Sequence, residues 1–168
     1  DVNGDTSVDV NDEYIELYNS TGSPINLNGW EIYEGANLAH TFGAGDNIPA
    51  GGTFTIVDSA VGGVITNVTG ASAFSDAGLG IGNGDVISLY DPNTNTYVIV
   101  NLGAGNAPLV TDAENAILAN HATATQEGTT EITGATVSGQ STQRAVDGGS
   151  TFVNETPTAG ATNLCFAA

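Results

Sequence analysis

Apolar and polar residues alternate along several short stretches of this chain, as they do in strands that bury one face. In the run YIELY at residues 14–18, two aliphatic side chains alternate with two tyrosines and a glutamate. The alternation breaks at a Thr-Gly-Ser-Pro turn, resumes at Ile25 and Leu27, and ends near Trp30. We therefore expect a strand at 14–18 and a two-sheet core whose middle is filled by this single tryptophan.

The strand pattern recurs along the rest of the chain, between groups of turn residues. Strands are predicted at residues 30–33, 53–57, 64–68, 86–90, 97–102, 131–133, 135–137 and 152–153. Residues 91–95 contain Pro and Asn and are typical of a hairpin, so the strands on either side should pair antiparallel. The glycine-rich run at 78–84 leads into a strand, whereas a phosphate-binding loop would lead into a helix.

One helix is predicted, at residues 112–120, with Asp112 as its cap. Its weak apolar face consists of Ala113, Ala116, Ile117 and Ala119. Helix-forming residues are otherwise scarce, because the chain has no Met and no Lys, and it has 23 Gly among 168 residues. This composition favours one all-β domain that is large enough to bury its own core.

The charge balance is unusual because basic residues are almost absent. The formal net charge is −18, from 19 acidic residues against one basic residue, Arg144. Phosphate contacts need Lys or Arg, so nucleic-acid binding is not expected, and anionic membranes should repel the chain. No apolar run is long enough to span a membrane, and the start at Asp1 indicates a processed or trimmed end. The charge suits either a soluble secreted protein or a surface that binds divalent cations.

Residues 1–12, DVNGDTSVDVND, place an oxygen-bearing residue at every ligand position of a twelve-residue calcium loop. The six candidate ligands are Asp1, Asn3, Asp5, Ser7, Asp9 and Asp12. The stretch resembles the calcium loop of dockerins, although Thr6 replaces the usual Gly and Asp12 replaces the usual Glu. We interpret it as a calcium site that precedes a strand. The alternative is an acidic turn exposed to solvent.

Catalytic chemistry has little support in the sequence. No serine neighbours a histidine, and Cys165 has no basic residue beside it, so neither type offers an activated nucleophile. His40 and His121 lack the neighbours of a metal pair or a catalytic triad, and Arg144 is expected to form a structural contact with an acid or with backbone carbonyls. We therefore predict no enzymatic activity. Cys165 is interpreted as a buried residue, and the alternative is an intermolecular disulfide.

An ordered series of short motifs resembles the lamin tail domain family. DEYIELYN and INLNGWEI come first, and HTF, IPAGGTFTIV, GNGDVISLYDPN, STQRAVDGG and TPTAGATN follow. The resemblance covers residues 12–163 with an insertion at about 103–139, which leaves the calcium loop at 1–12 and an apolar tail at 164–168. It implies an all-β, immunoglobulin-like β-sandwich with one short helix in the insertion. Such domains accompany secreted enzymes or occur in cell-surface proteins, which implies adhesion or targeting and not chemistry.

These features together predict a non-catalytic extracellular structural protein, a filament or surface-layer subunit stabilised by Ca²⁺. Its expected partner is another copy of the chain, joined through the apolar tail and the edge strands of the sandwich. The alternative is a monomeric calcium-stabilised module for adhesion, at the cell surface or within a secreted enzyme system. Asn19, Asn67 and Asn154 begin Asn-x-Ser/Thr sequences and are candidate glycosylation sites.

Overall fold

A computed structural model of the chain describes residues 14–57, 72–73, 81–82, 84–103, 107–135, 137, 140–145 and 151–155. The strands are β1 Tyr14–Tyr18, β2 Ile25–Asn26, β3 Glu31–Glu34, β4 Asn37–Thr41, β5 Asn47–Ile48, β6 Thr53–Val57, β7 Ser72–Ala73, β8 Val86–Asp91, β9 Thr96–Asn101, β10 Thr125–Gln126, β11 Glu131–Ile132, β12 Ser141–Arg144 and β13 Phe152–Glu155. The helix described is α1, Ala107–Asn120. The expected mostly-β architecture with one helix is therefore confirmed. The predicted strand at 64–68 lies outside the described residues.

A six-stranded sheet forms the middle layer of the described part. Its strands lie in the order β10-β9-β8-β3-β4. The strand β11 also pairs with β9, at residues further along β9 than those that pair with β10. The pairs among β4, β3, β8 and β9 are antiparallel, whereas β10 and β11 run parallel to β9. The predicted hairpin is confirmed, with Tyr90 opposite Tyr97 and a tight turn in which Asn95 has φ 56°. Asp91 stabilises this turn because its carboxylate accepts hydrogen bonds from Asn93 and Thr94.

One face of this sheet packs against two smaller sheets to form the first core. The smaller sheets are β1-β6-β7 and β2-β5. The buried residues of this core are Leu27, Ile32, Phe42, Ile48, Phe54 and Ile56. Ile15 and Leu17 pack against it from β1, as the alternation in residues 14–18 predicts. Two β-layers with a shared apolar interior give the β-sandwich that the family resemblance implies.

Trp30 does not fill the middle of this core, and the prediction that it does is wrong. Its side chain is half-buried and packs at the margin, whereas Phe42 and Phe54 are fully buried. Those two rings meet edge-on, with centroids 5.5 Å apart and planes at 72°. Trp30 lies just before β3, so the first inward side chain of that strand is Ile32 and the indole covers the rim instead.

The opposite face of the six-stranded sheet packs against α1 and forms the second core. Its buried residues are Tyr33, Val86, Tyr90, Tyr97, Ile99, Ala113, Ile117 and Ala124. Neighbouring residues of β3 and β8 alternate between the two cores, which makes the six-stranded sheet a shared central layer. The described part of the molecule therefore has three layers: the small sheets, the six-stranded sheet and the helix.

The helix is longer than the sequence predicts. It ends at Asn120 as expected but begins at Ala107, so Asp112 is an exposed residue inside the helix and not its cap. Pro108 suits the first turn, where its missing N–H costs nothing. Leu109 and Val110 add the extra turn to the apolar face, while Ala119 is exposed. Packing against the sheet therefore extends a helix whose local pattern indicated only two turns.

Two predictions for the later strands differ in outcome. The strand at 131–133 is present as β11, whereas Ala135 and Val137 lie outside any strand, so the predicted strand at 135–137 is wrong. Thr133 marks the change: its main-chain N–H donates to Asn101, and its hydroxyl then donates to the carbonyl of Gly134. A hydroxyl that bonds its own backbone competes with continued strand pairing.

Candidate functional site

A polar cluster joins the helix to the middle sheet, and we define it by Glu31, Tyr33, Tyr90, Asn120 and His121. Glu31 and Tyr33 lie two residues apart on β3, so both side chains point to the helix side. The Tyr33 hydroxyl donates to Oε2 of Glu31 at 2.6 Å. His121 follows the last residue of α1, and its Nε2 lies 2.7 Å from the same carboxylate oxygen.

The His121 ring is held from several directions. Its ring stacks on Tyr90, with centroids 3.8 Å apart and planes only 13° from parallel. Because a carboxylate only accepts hydrogen bonds, Nε2 is the nitrogen that carries a proton in the contact with Glu31. Asn120 adds a link from the helix, since its amide donates to the Tyr33 hydroxyl at 3.3 Å. The cluster therefore fixes the end of α1 over β3 and β8.

Tyrosines on the helix side of the sheet are held in the protonated form. Burial, together with the hydrogen bond to Glu31, raises the pKa of Tyr33 well above its ordinary value. Tyr97 donates to Glu114 of α1 at 3.1 Å, and burial with this hydrogen bond raises the pKa of Tyr97 to about 12. Both hydroxyls are therefore hydrogen-bond donors between sheet and helix at neutral pH.

The geometry of the cluster favours a structural role. One oxygen of Glu31 serves both Tyr33 and His121, so the acid and the imidazole are already hydrogen-bonded to each other. A nucleophile would have to come from Tyr33, but a raised pKa makes its phenolate less available. Sequence reasoning missed the cluster because its two ends lie 90 residues apart. The local feature that could have indicated the cluster is His121, which immediately follows the predicted helix.

Arg144 forms the structural ion pair that the sequence predicts. Its guanidinium lies 2.7 Å from Glu131 on β11 and 4.7 Å from the centroid of the Phe152 ring on β13. The pair therefore fastens the β12-β13 hairpin to the edge of the middle sheet. It borders a groove of about 320 Å³ that is also lined by residues 98–100 of β9 and residues 127–129.

Two residues singled out in the sequence are in the interior. His40 is buried on β4 and meets the Phe42 ring edge-on at 4.7 Å. Burial lowers the pKa of His40, and the nearby Asp46 partly offsets this effect. Asn19 is 1 % exposed, and its side-chain amide donates to the carbonyls of Ser23, Ile48 and Pro49. Glycosylation of Asn19 in the folded chain would break these three bonds.

Other candidate residues have varied positions. Asn154 is half-buried on β13, accepts from the Thr142 hydroxyl at 2.7 Å and donates to the carbonyl of Ala135. Asp46 and Asp85 accept main-chain hydrogen bonds inside turns, from Gly43 and Gly82 respectively. Burial and the neighbouring Asp85 carboxylate raise the pKa of Glu34. The carboxylates of Asp46 and Asp85 therefore stabilise the turns in which they lie.

The predicted calcium ligands lie outside the described residues, as do Asn67 and Cys165. They are Asp1, Asn3, Asp5, Ser7, Asp9 and Asp12. Within the part of the chain that is described, three or more His, Cys, Asp or Glu side chains are nowhere grouped as metal ligands. The helix described there is too short and too polar to cross a membrane.

Comparison with known proteins identifies one family. The sequence model described as Lamin Tail Domain matches residues 1–106, which is more than half of the chain. The match ends immediately before α1. No curated protein matches the chain.

Proposed function

Because the chain belongs to the lamin tail domain family, a family of non-enzymatic immunoglobulin-like domains, we propose that it is an extracellular structural subunit that assembles with calcium. The assembly we propose is a filament or a surface layer built from copies of this chain. The observation that carries the proposal is the charge balance: 19 acids oppose a single base, and that base is paired internally with Glu131.

The polar groups of the described region support a structural role over a catalytic one. Glu31, His121 and Tyr33 satisfy one another between the helix and the sheet. Arg144 and Glu131 do the same between the hairpin and the sheet edge. An active site would instead leave such groups available to a substrate, whereas Arg144 and Glu131, although they border the groove beside β9, are already paired with each other. In this chain the polar groups instead join the helix and the β12-β13 hairpin to the middle sheet.

Charge explains why assembly would need a cation. Two copies that approach each other both carry a formal charge of −18, and neither has a second base with which to form cross-copy ion pairs. Divalent cations neutralise carboxylates and bind oxygen ligands, which are abundant here. The proposed calcium site is the loop at residues 1–12, with Asp1, Asn3, Asp5, Ser7, Asp9 and Asp12 as ligands. This loop immediately precedes β1, so bound calcium would stiffen the start of the sandwich.

The proposed contacts between copies are the apolar tail and a sheet edge. Among the described strands, β4 pairs only with β3, and its Leu38 is 41 % exposed. The register of the β3–β4 pair shifts between Ile32 and Tyr33, where Ala39 of β4 has no residue opposite it, and this irregular edge limits promiscuous pairing. The opposite end of the sheet is covered by β10 and β11. The β4 edge together with residues 164–168 is therefore the proposed joint.

Sedimentation velocity at increasing calcium tests this proposal. The wild-type chain should shift from a small to a large sedimentation coefficient as calcium is added, and chelation should reverse the shift. The variant Asp5→Asn with Asp9→Asn should need much more calcium, whereas Asp112→Asn, an exposed helix residue, should behave as wild type. Constant sedimentation of the wild type across the calcium range would remove the assembly proposal and favour a monomeric binding module.

A further inference from the structure

Two polar side chains are buried between the middle sheet and α1, apart from the cluster around Glu31. Ser88 is 1 % exposed at the centre of β8, and Asn101 is 4 % exposed at the end of β9. Buried residues alternate along β8, so Ser88 lies on the same side as Val86 and Tyr90, which belong to the helix-side core. Asn101 is directly opposite Val86 and therefore lies on that side too.

Neither polar group has a hydrogen-bond partner among the described residues. The atoms concerned are the hydroxyl oxygen of Ser88 and the amide oxygen Oδ1 of Asn101. A buried polar atom without a partner costs about 1–3 kcal/mol, so such atoms are rare unless something satisfies them. By contrast, the buried Thr133 hydroxyl donates to the carbonyl of Gly134 and accepts from the main-chain N–H of Gly103.

The strand register brings the two atoms into the same neighbourhood. Ser88 is opposite Ile99, and Asn101 lies two residues further along β9. Residues in this diagonal relation on one face of an antiparallel pair are about 7–8 Å apart at the backbone, and their Cβ atoms are somewhat closer. A water molecule bridges two oxygen atoms that lie roughly 5.5 Å apart, because each hydrogen bond is about 2.7–2.8 Å long.

We infer that Ser88 and Asn101 together bind one buried water molecule between α1 and the sheet. The water donates one hydrogen bond to Oδ1 of Asn101 and shares a second with the Ser88 hydroxyl, which both donates and accepts. Two polar partners meet the requirement for a stable buried water, whereas a purely apolar gap stays dry. The site is a structural one, and it couples β8 to the far end of β9 beneath the helix.

A simpler interpretation is that Ser88 is only a small residue that lets the helix approach the sheet closely. Ala113, itself small, is buried in the same core. The two interpretations predict opposite signs for Ser88→Ala. If Ser88 only fills space, the substitution removes an unsatisfied hydroxyl and leaves stability unchanged or higher. If Ser88 holds a water, the substitution breaks a hydrogen bond and leaves the water with one partner.

Two measurements on the full chain test the inference. A high-resolution crystal structure should show an ordered water within hydrogen-bonding distance of both Ser88 Oγ and Asn101 Oδ1. Ser88→Ala should lower the midpoint of thermal unfolding by about 2–4 °C, while the control Ser20→Ala, at an exposed position, should leave it unchanged. A dry site in the crystal, or a Ser88→Ala midpoint equal to or above that of the wild type, would overturn the inference.

Discussion

The contact between Glu31 and His121 should couple the helix to the sheet energetically, and a double-mutant cycle measures this coupling. Glu31→Gln removes the negative charge but keeps an oxygen that can accept from Tyr33. His121→Phe keeps an aromatic ring to stack on Tyr90 but removes Nε2. Because Gln can still accept a neutral hydrogen bond from Nε2, the cycle measures the part of the 2.7 Å contact that depends on the charge of Glu31.

The expected magnitude follows from the exposure of the two side chains. They are 23 % and 16 % exposed for His121 and Glu31, so water screens the contact only in part. Hydrogen bonds to charged groups contribute about 1.5–3 kcal/mol when fully shielded, and residues in contact couple by about 0.5–3 kcal/mol. We expect a coupling free energy near the lower end, about 1 kcal/mol.

Chemical denaturation of the wild type, both single variants and the double variant gives this coupling from the four free energies of unfolding. Hydrogen exchange should show in addition that the amides of α1 open more readily in each single variant, while those of β6 do not. The control cycle pairs His121→Phe with Asp112→Asn, which is exposed on the same helix, and should give a coupling near zero. A Glu31–His121 coupling indistinguishable from this control would refute the structural role of the cluster.

Three further substitutions test the hydrogen bonds of Asn19, the packing of α1 and the raised pKa of Tyr97. Asn19→Ala should lower the free energy of unfolding by about 1–3 kcal/mol in urea denaturation, since the buried carbonyl of Ile48 and the part-buried carbonyls of Ser23 and Pro49 lose their donor; a change no larger than that of Ser20→Ala would contradict this. Ile117→Ala should lower the free energy of unfolding by about 2–5 kcal/mol in the same assay, because Ile117 of α1 is fully buried. A loss of unfolding free energy below about 1 kcal/mol would show that the helix is not firmly packed. For Tyr97, a pKa raised to about 12 in the folded chain exceeds the ordinary value near 10. The contribution of Tyr97 to folding stability should therefore be complete below pH 10 and be lost as the pH rises toward 12, so Tyr97→Phe should reduce the fall in stability over that range; an unchanged pH profile in the variant would count against the shift.

Local signals were sufficient to predict β1 as a strand and β8–β9 as a hairpin, although β1 pairs with β6, a strand much further along the chain. The alternation in β1 and the Pro–Asn turn between β8 and β9 each determine their structure within a few residues, and both predictions are confirmed. The family resemblance supplied the sandwich, since the pairing of β3 with β8 joins strands that are about fifty residues apart in the sequence and leaves no local trace.

The features that sequence reasoning missed depend on long-range packing. The helix α1 begins earlier than the sequence predicts because Leu109 and Val110 pack against the helix-side core. Helix propensity does not encode such long-range packing. Trp30 lies at the margin because Phe42, just after β4, and Phe54 of β6 come together in the centre of the core. The cluster around Glu31 requires the end of the helix to lie over β3, which only the folded chain shows.

Electron microscopy of the native protein, in calcium and after chelation at matched concentration, tests the central proposal most directly. Calcium-dependent assembly predicts ordered filaments or sheets that disperse when calcium is chelated and form again when it is restored. Single particles of one size in both conditions would contradict assembly, and the chain would then be a monomeric module of the lamin tail domain family.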